Sequence, residues 1–164
     1  MECMCGKQIQ KFYIESFFNC HMVNNYYVDS CVYLNLWQKE KSKLGKPLWK
    51  LSKNFFEKAE QTESLIYYSG FLLKELSFIL TKNEFAQKRL MFEASPNFKK
   101  MKLTLNEYKL ARKIESKNKS IGFYDILHML LTKKTNSTLI TRDRKLLKLA
   151  KKYKINAKRP EEIL

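Results

Sequence analysis

The chain has 164 residues, a length that suits one domain with a substantial core. Its 45% hydrophobic content, with eleven phenylalanines and nine tyrosines, excludes a disordered chain. No apolar run reaches the roughly 18 residues of a membrane-spanning helix, and the first 25 residues lack the apolar core of a secretory signal. We therefore expect a cytoplasmic protein that does not enter membranes.

The net charge is +16 at pH 7, and lysine supplies most of it. An excess of this size attracts polyanions, so nucleic acid is the first candidate partner and anionic lipid the second. A surface that is simply rich in lysine explains the same composition. Charge alone leaves these interpretations open.

The elements predicted from apolar spacing alternate between strand and helix. In chain order they are a strand ending at Asp29, helices over 31–41 and 46–61, a strand over 64–70, helices over 71–80 and 83–94, a short strand over 99–105, helices over 106–117 and 120–134, a strand over 137–143, a helix over 144–153 and a last short strand within 154–164. Pro47 suits a first helical turn, and Ser120 a helix cap. This alternation predicts a parallel sheet covered by helices on both faces, with ligands at the carboxyl ends of the strands.

The N-terminal segment stands apart from this pattern. We predict residues 1–21 to be an extension and residues 22–164 to be the main domain. Three of the four cysteines precede the main domain: Cys3, Cys5 and Cys20. Together with His21 they could form a set of zinc ligands. Their spacing matches none of the usual paired zinc patterns, so free thiols in a reducing compartment are the preferred interpretation.

Aspartate is rare in this chain, which makes its positions informative. Asp29 and Asp143 follow predicted strands, Asp125 lies in the opening turns of a buried helix, and glutamate is used thirteen times. Each aspartate alone could be a helix N-cap. Asp125 fits that role less well because Ser120 already serves as the cap.

Glu75 lies in the middle of an apolar helix. Its neighbours on the helix face are Phe71, Phe78 and Ile79. An ionised carboxylate on an apolar face is costly unless it is paired. A metal site would supply the partner; an edge position, where Glu75 reaches solvent or a lysine, is the alternative.

Together, the four acids favour a metal site. Carboxylates gathered at one end of a sheet repel one another, and hard divalent cations with oxygen ligands relieve that repulsion. Such a site in a basic protein indicates phosphodiester chemistry. The chain has no glycine-rich phosphate loop, which excludes dinucleotide and nucleoside triphosphate binding of the usual kinds.

Four stretches resemble the PIN domain family of metal-dependent nucleases. They are YYVDSCVYLNLW, YYSGFLLKELSF, SIGFYDILHMLLTKKTNSTLITRD and the terminal RPEEIL, and they span residues 24–164. The third stretch is the most specific, because it joins an aspartate, a buried helix, an apolar strand and TRD at the family's spacing.

The resemblance implies a three-layer α/β/α sandwich around a parallel sheet of four or five strands. It also implies endonucleolytic cleavage of single-stranded RNA with Mg²⁺ or Mn²⁺. The family's acidic positions fall on Asp29, Glu75, Asp125 and Asp143, which are therefore the candidate catalytic and metal-binding residues. The chain departs from the family in its N-terminal extension and in a helical insertion around residues 82–95.

Other residues are weaker candidates. Ser30 and Thr141 could orient an acid or a water molecule, or serve only their turn and strand. Arg142 and Arg144 could contact phosphate or remain solvated. His128 lies one turn after an acid on the same helix face, but a lone histidine is more often a satisfied core residue than a metal ligand.

Two other functions stay open. A non-catalytic RNA-binding module would keep the fold and the basic surface. A phospho-acceptor receiver domain also places an acid after its first strand, but its paired acids and late lysine are not evident here. Many PIN relatives are toxins of toxin–antitoxin modules and others process ribosomal RNA, so an antitoxin protein is a candidate partner. We also expect a homodimer.

Overall fold

The computed structural model describes residues 24–119 and 121–163. The candidate zinc ligands near the N-terminus, the predicted extension over residues 1–21 and the candidate cap Ser120 lie outside these ranges. Within the described ranges, no helix has both the length and the apolar character needed to cross a membrane.

Strands and helices alternate along the chain, as predicted. The strands are β1 (Asn25–Val28), β2 (Leu65–Ser69), β3 (Phe98–Met101), β4 (Thr138–Ile140) and β5 (Ala157–Lys158). The helices are α1 (Ser30–Trp37), α2 (Leu48–Gln61), α3 (Gly70–Ile79), α4 (Lys82–Ala94), α5 (Leu105–Lys117), α6 (Phe123–Thr135) and α7 (Arg144–Lys152), and a short 3₁₀ helix follows at Pro160–Glu162.

The five strands form one parallel sheet in the order β3-β2-β1-β4-β5. The chain builds one half of the sheet outward from β1 and then returns to place β4 on the other side of β1. Strand order therefore reverses between β1 and β4. We refer to the carboxyl-end edge of the sheet at this reversal as the crevice, because ligands of open parallel sheets bind at such a position.

Two apolar cores lie on the two faces of the sheet, which confirms the predicted three-layer sandwich. Neighbouring residues of a strand point to opposite faces: Tyr26 and Val28 join the core that includes Phe55 of α2, whereas Tyr27 joins the core built on α5, α6 and α7. Since both faces are covered, the short strands can be apolar throughout.

Two predicted helix boundaries are wrong. Helix α1 ends at Trp37 instead of continuing to residue 41, because the backbone of Lys39 turns into the left-handed region with φ of 50°. A bridge between Lys41 and Pro47 then closes the turn into α2. Helix α6 begins at Phe123, and Gly122 occupies the N-cap position that the prediction assigned to Ser120.

Helix α4 corresponds to the predicted helical insertion. A reciprocal capping box between Thr81 and Glu84 fixes its start. Phe92 is its one buried residue, at 1% exposure. The Phe92 ring packs against four other aromatic rings, those of Tyr33, Trp37, Tyr68 and Phe98.

Phe92→Ala should lower the free energy of unfolding by about 3–5 kcal/mol, the usual cost of truncating a buried phenylalanine. Phe78→Ala is the matched control, because Phe78 is 71% exposed and its loss should change stability by less than about 0.5 kcal/mol. Urea unfolding followed by circular dichroism measures both. A Phe92→Ala variant as stable as the wild type would show that α4 does not belong to the core.

Candidate active site

Asp29 lies where β1 ends and α1 begins, beside the crevice between β1 and β4. Its backbone N–H donates to the carbonyl of Ile140 at 2.9 Å, which ties the two strand ends together. The side chain is 5% exposed and makes no cap hydrogen bond to α1. The N-cap alternative therefore fails for the Asp29 carboxylate, which points instead toward β4.

Side-chain donors surround the Asp29 carboxylate. Thr141 donates its hydroxyl to Oδ2 at 2.6 Å, the Cys31 thiol donates to the same oxygen at 3.0 Å, and Ser30 donates to Oδ1 at 3.2 Å. Two of the weaker candidates, Ser30 and Thr141, thus contact the acid directly. Sequence reasoning missed Cys31, whose position two residues after an acid at a helix start was the available signal.

Thr141 also connects Asp29 to Asp143. Its hydroxyl oxygen accepts the backbone N–H of Asp143 at 3.1 Å while its proton goes to Asp29. Asp143 caps α7, since its Oδ1 accepts the N–H groups of Lys145 and Leu146 at 2.6 and 3.0 Å. The N-cap alternative is therefore correct for Asp143, with Oδ2 left for another partner.

Glu75 reaches the same crevice from α3, but for a different reason than its sequence neighbours indicated. Phe78 and Ile79 are 71% and 53% exposed, so these apolar neighbours on the helix face do not bury Glu75. Glu75 is half-buried at the rim, and its Oε2 lies 2.5 Å from His128 Nε2. Helical periodicity could not show which flank of α3 the rest of the chain covers.

His128 is fully buried and both ring nitrogens have partners. Its Nδ1 lies 3.0 Å from the Tyr27 hydroxyl, which in turn lies 2.8 Å from Ser69 Oγ. Burial alone would lower the pKa of His128, but the Glu75 carboxylate raises it and the net direction is upward. The expected satisfied core histidine is thus also part of the crevice.

Ligand atoms of Asp29, Glu75 and His128 all lie within 4.8 Å of one another. The two carboxylates offer the oxygen ligands that suit Mg²⁺ and Mn²⁺, and His128 contacts one of them through Nε2. Within the described part of the chain, the residues present therefore fit a metal ion at this position.

Asp125 lies in the first turn of α6 and is not one of the three residues of this group. Its Oδ2 accepts the Gly122 N–H at 3.1 Å, and a Cβ on Gly122 would itself lie 3.1 Å from that oxygen, so glycine permits the approach. Burial, together with the charges of Asp29 and Asp143, raises the pKa of Asp125 to about 6, while His128 and the hydrogen bond from Gly122 oppose the rise. The three aspartates therefore interact through their charges.

The two candidate phosphate contacts differ. Arg142 forms an ion pair with Glu161 at 2.8 Å, and both side chains are largely buried. Arg144 is exposed at the start of α7, next to Asp143. Glu161 thus competes with any phosphate for Arg142, whereas Arg144 is open to solvent.

Comparisons with known proteins agree with this fold. The family model of the PIN domain matches residues 26–152. The fold is similar to that of VapC20 of Mycobacterium tuberculosis, a sarcin-ricin loop cleaving toxin, with 13% identity, a TM-score of 0.60 and coverage of 76% of this chain and 94% of that one. It is also similar to FitAcB of Neisseria gonorrhoeae, with 14% identity, a TM-score of 0.55 and coverage of 82% and 97%. No curated protein sequence gives a significant match.

Asp125→Asn should stabilise the metal-free protein at about pH 8. A carboxyl whose pKa rises on folding costs stability while it is ionised, so the penalty is present above pH 6 and fades as the pH falls toward 3.8. Because Asp125 is partly accessible to solvent, we expect a gain of about 1–2 kcal/mol, less than the full linkage value. Urea unfolding with chelator at about pH 8 and about pH 4.5 measures this difference.

Glu57→Gln removes an exposed carboxylate and should change stability little at either pH. If Asp125→Asn and the wild type are equally stable at about pH 8, neither burial nor repulsion from the other aspartates penalises the ionised Asp125 carboxylate.

Proposed function

The chain belongs to the PIN domain family of nucleases, and from that premise we propose that it is a Mg²⁺- or Mn²⁺-dependent endoribonuclease that hydrolyses single-stranded RNA. The observation that carries the proposal is the meeting of the Asp29 and Glu75 carboxylates where strand order reverses. The charges of Asp29 and Asp143 both act on Asp125, which supports including Asp125 and Asp143 in the proposed site.

Each acid has a proposed role. Asp29 and Glu75 would hold the metal ion, and Asp125 and Asp143 would complete the site through a direct or a water-mediated contact. A bound divalent cation supplies an activated water and offsets charge on the phosphate. Thr141, Ser30 and the other donors around Asp29 keep its carboxylate in place.

The basic surface supports an RNA substrate. The chain carries 32 lysines and arginines against 16 acids, and four of those acids are in the candidate site. Arg144 and Lys145 are exposed beside Asp143 at the start of α7. Cations at this position can hold the phosphate backbone next to the acids, so binding should weaken as salt rises.

We assign the nuclease domain to residues 22–164, with residues 1–21 as an extension. The family match ends at residue 152, but β5 pairs with β4 beyond that point. The following 3₁₀ helix contains the buried Pro160, packs against α2, and supplies Glu161 to the ion pair with Arg142. These contacts support a domain that continues past the matched region.

The cellular role that we favour is the toxin of a toxin–antitoxin pair, with RNA processing as the alternative. The similarity in fold to VapC20, a sarcin-ricin loop cleaving toxin, supports the first role. An antitoxin protein would then be the partner, a homodimer the assembly, and the cytoplasm the location.

Asp29→Asn should abolish RNA cleavage while the protein still folds. Loss of a hydrogen-bonded partner of a metal ligand costs about 10–100-fold, so loss of a ligand should cost at least about 100-fold. The asparagine oxygen can still accept part of the hydrogen bonds from Ser30, Cys31 and Thr141. Labelled single-stranded RNA incubated with Mn²⁺, with Mg²⁺ or with chelator measures cleavage, and circular dichroism measures folding.

Glu57→Gln is the control for loss of an exposed carboxylate and should cleave at the wild-type rate. Cleavage by Asp29→Asn at that rate would overturn the metal-site assignment. If the wild type binds RNA in a salt-dependent way but cleaves it with neither metal, the non-catalytic RNA-binding module is the correct function.

A further inference from the structure

We infer that His128 is a positioning residue that fixes the Glu75 carboxylate for metal binding, at the end of a buried hydrogen-bond chain that starts at Ser69 and runs through Tyr27. The inference rests on the proposed function, because it concerns how one candidate metal ligand is held. It assigns a role to three buried polar side chains, the last of which contacts Glu75.

The direction of the chain follows from its donors and acceptors. Ser69 Oγ caps α3 by accepting the Leu72 N–H at 3.2 Å, so its own proton can go to Tyr27. The Tyr27 hydroxyl can then donate to His128 Nδ1, and the neutral ring carries its proton on Nε2. That proton faces Glu75 Oε2 at 2.5 Å.

The same donor faces Glu75 if the ring is protonated. His128 would then donate from both nitrogens, and the Tyr27 hydroxyl would turn its proton toward Ser69. In both states, Nε2–H points at the carboxylate. The positioning role therefore does not depend on the charge of His128.

Burial makes this arrangement rigid. Tyr27 and His128 have no exposed surface, and Ser69 is 1% exposed, so leaving one of their polar groups without its partner carries a desolvation penalty. Glu75, in contrast, has a long side chain that is 21% exposed. The hydrogen bond from His128 holds its Oε2 and leaves Oε1 for the metal, at a point where an untethered glutamate could swing into solvent.

Positioning fits the contacts better than direct ligation by His128. A nitrogen that carries a proton cannot bind a metal, and Nε2 would have to lose both its proton and Glu75. Groups that hydrogen-bond to metal ligands orient them, and their loss typically costs about 10–100-fold in metal affinity.

The test measures Mn²⁺ affinity by isothermal titration calorimetry on the full-length protein. His128→Met removes the donor at similar volume and should weaken Mn²⁺ binding by about 10–100-fold. His128→Gln keeps a side-chain N–H and should restore most of that affinity. Tyr27→Phe, which leaves the ring of His128 in place, should weaken binding in the same direction by a smaller factor.

Tyr33→Phe is the matched control for loss of a buried tyrosine hydroxyl. The Tyr33 hydroxyl is buried without a hydrogen-bond partner among the described residues, so its loss should leave Mn²⁺ affinity unchanged. A purely structural role for His128 predicts a different result: His128→Met would lower the free energy of unfolding, but the folded variant would bind Mn²⁺ as tightly as the wild type.

Nitrogen-15 NMR of the histidine rings gives a readout that needs no variant to be active. The chain has two histidines, His21 and His128, so the signals are few and the spectrum of His128→Gln assigns them. We expect Nε2 of His128 to stay protonated in the metal-free and the Mg²⁺-loaded protein. Loss of that proton when Mg²⁺ binds would make His128 a ligand and overturn the inference, even if His128→Met failed to fold.

The two proposals fail in different ways. If the wild type binds neither Mn²⁺ nor Mg²⁺, the metal site and the role of His128 fall together. If the wild type binds Mn²⁺ and cleaves RNA, and His128→Met binds Mn²⁺ equally well, only the inference about His128 is wrong.

Discussion

The parallel pairing of β1 with β4 is the constraint on which the site depends. Because β4 returns to the open side of β1, the carboxyl ends of both strands lie at the same edge of the sheet. The Asp29 N–H bonded to the Ile140 carbonyl fixes that edge, and the Thr141 hydroxyl links the two acids that follow the strands. Residues separated by more than a hundred positions in the chain thus meet through backbone pairing.

Gathering acids at one edge creates repulsion, and the fold offsets part of it. Asp29, Asp125 and Asp143 lie at the N-terminal ends of α1, α6 and α7, where the helix dipole favours negative charge. Hydroxyl, thiol and backbone donors bond to some of their oxygens. Burial still leaves Asp125 with a raised pKa. Its ionised carboxylate is therefore unfavourable in the crevice, and a bound cation would lower that cost.

Local patterns predicted the layers and the sheet, because the short-range spacing of apolar residues indicates the alternation of strand and helix. They also placed Asp29 and Asp143 after their strands. The surroundings of Glu75 could not be predicted, since helical spacing does not show that Phe78 and Ile79 face solvent. The partnership of His128 with Glu75 and Tyr27 spans 53 and 101 residues, and only tertiary packing reveals it.

The single buried anchor of α4 has a dynamic consequence. Helix α4 leads into β3, which pairs only with β2 at the sheet margin. Since Phe92 is the one buried residue of the helix, α4 and β3 together should form a cooperative unit of low local stability. Its amide protons should exchange with solvent sooner than those of β1 and β4. Transient unfolding of α4 and β3 would leave β1 and β4 paired, so the acids at their carboxyl ends would keep their positions.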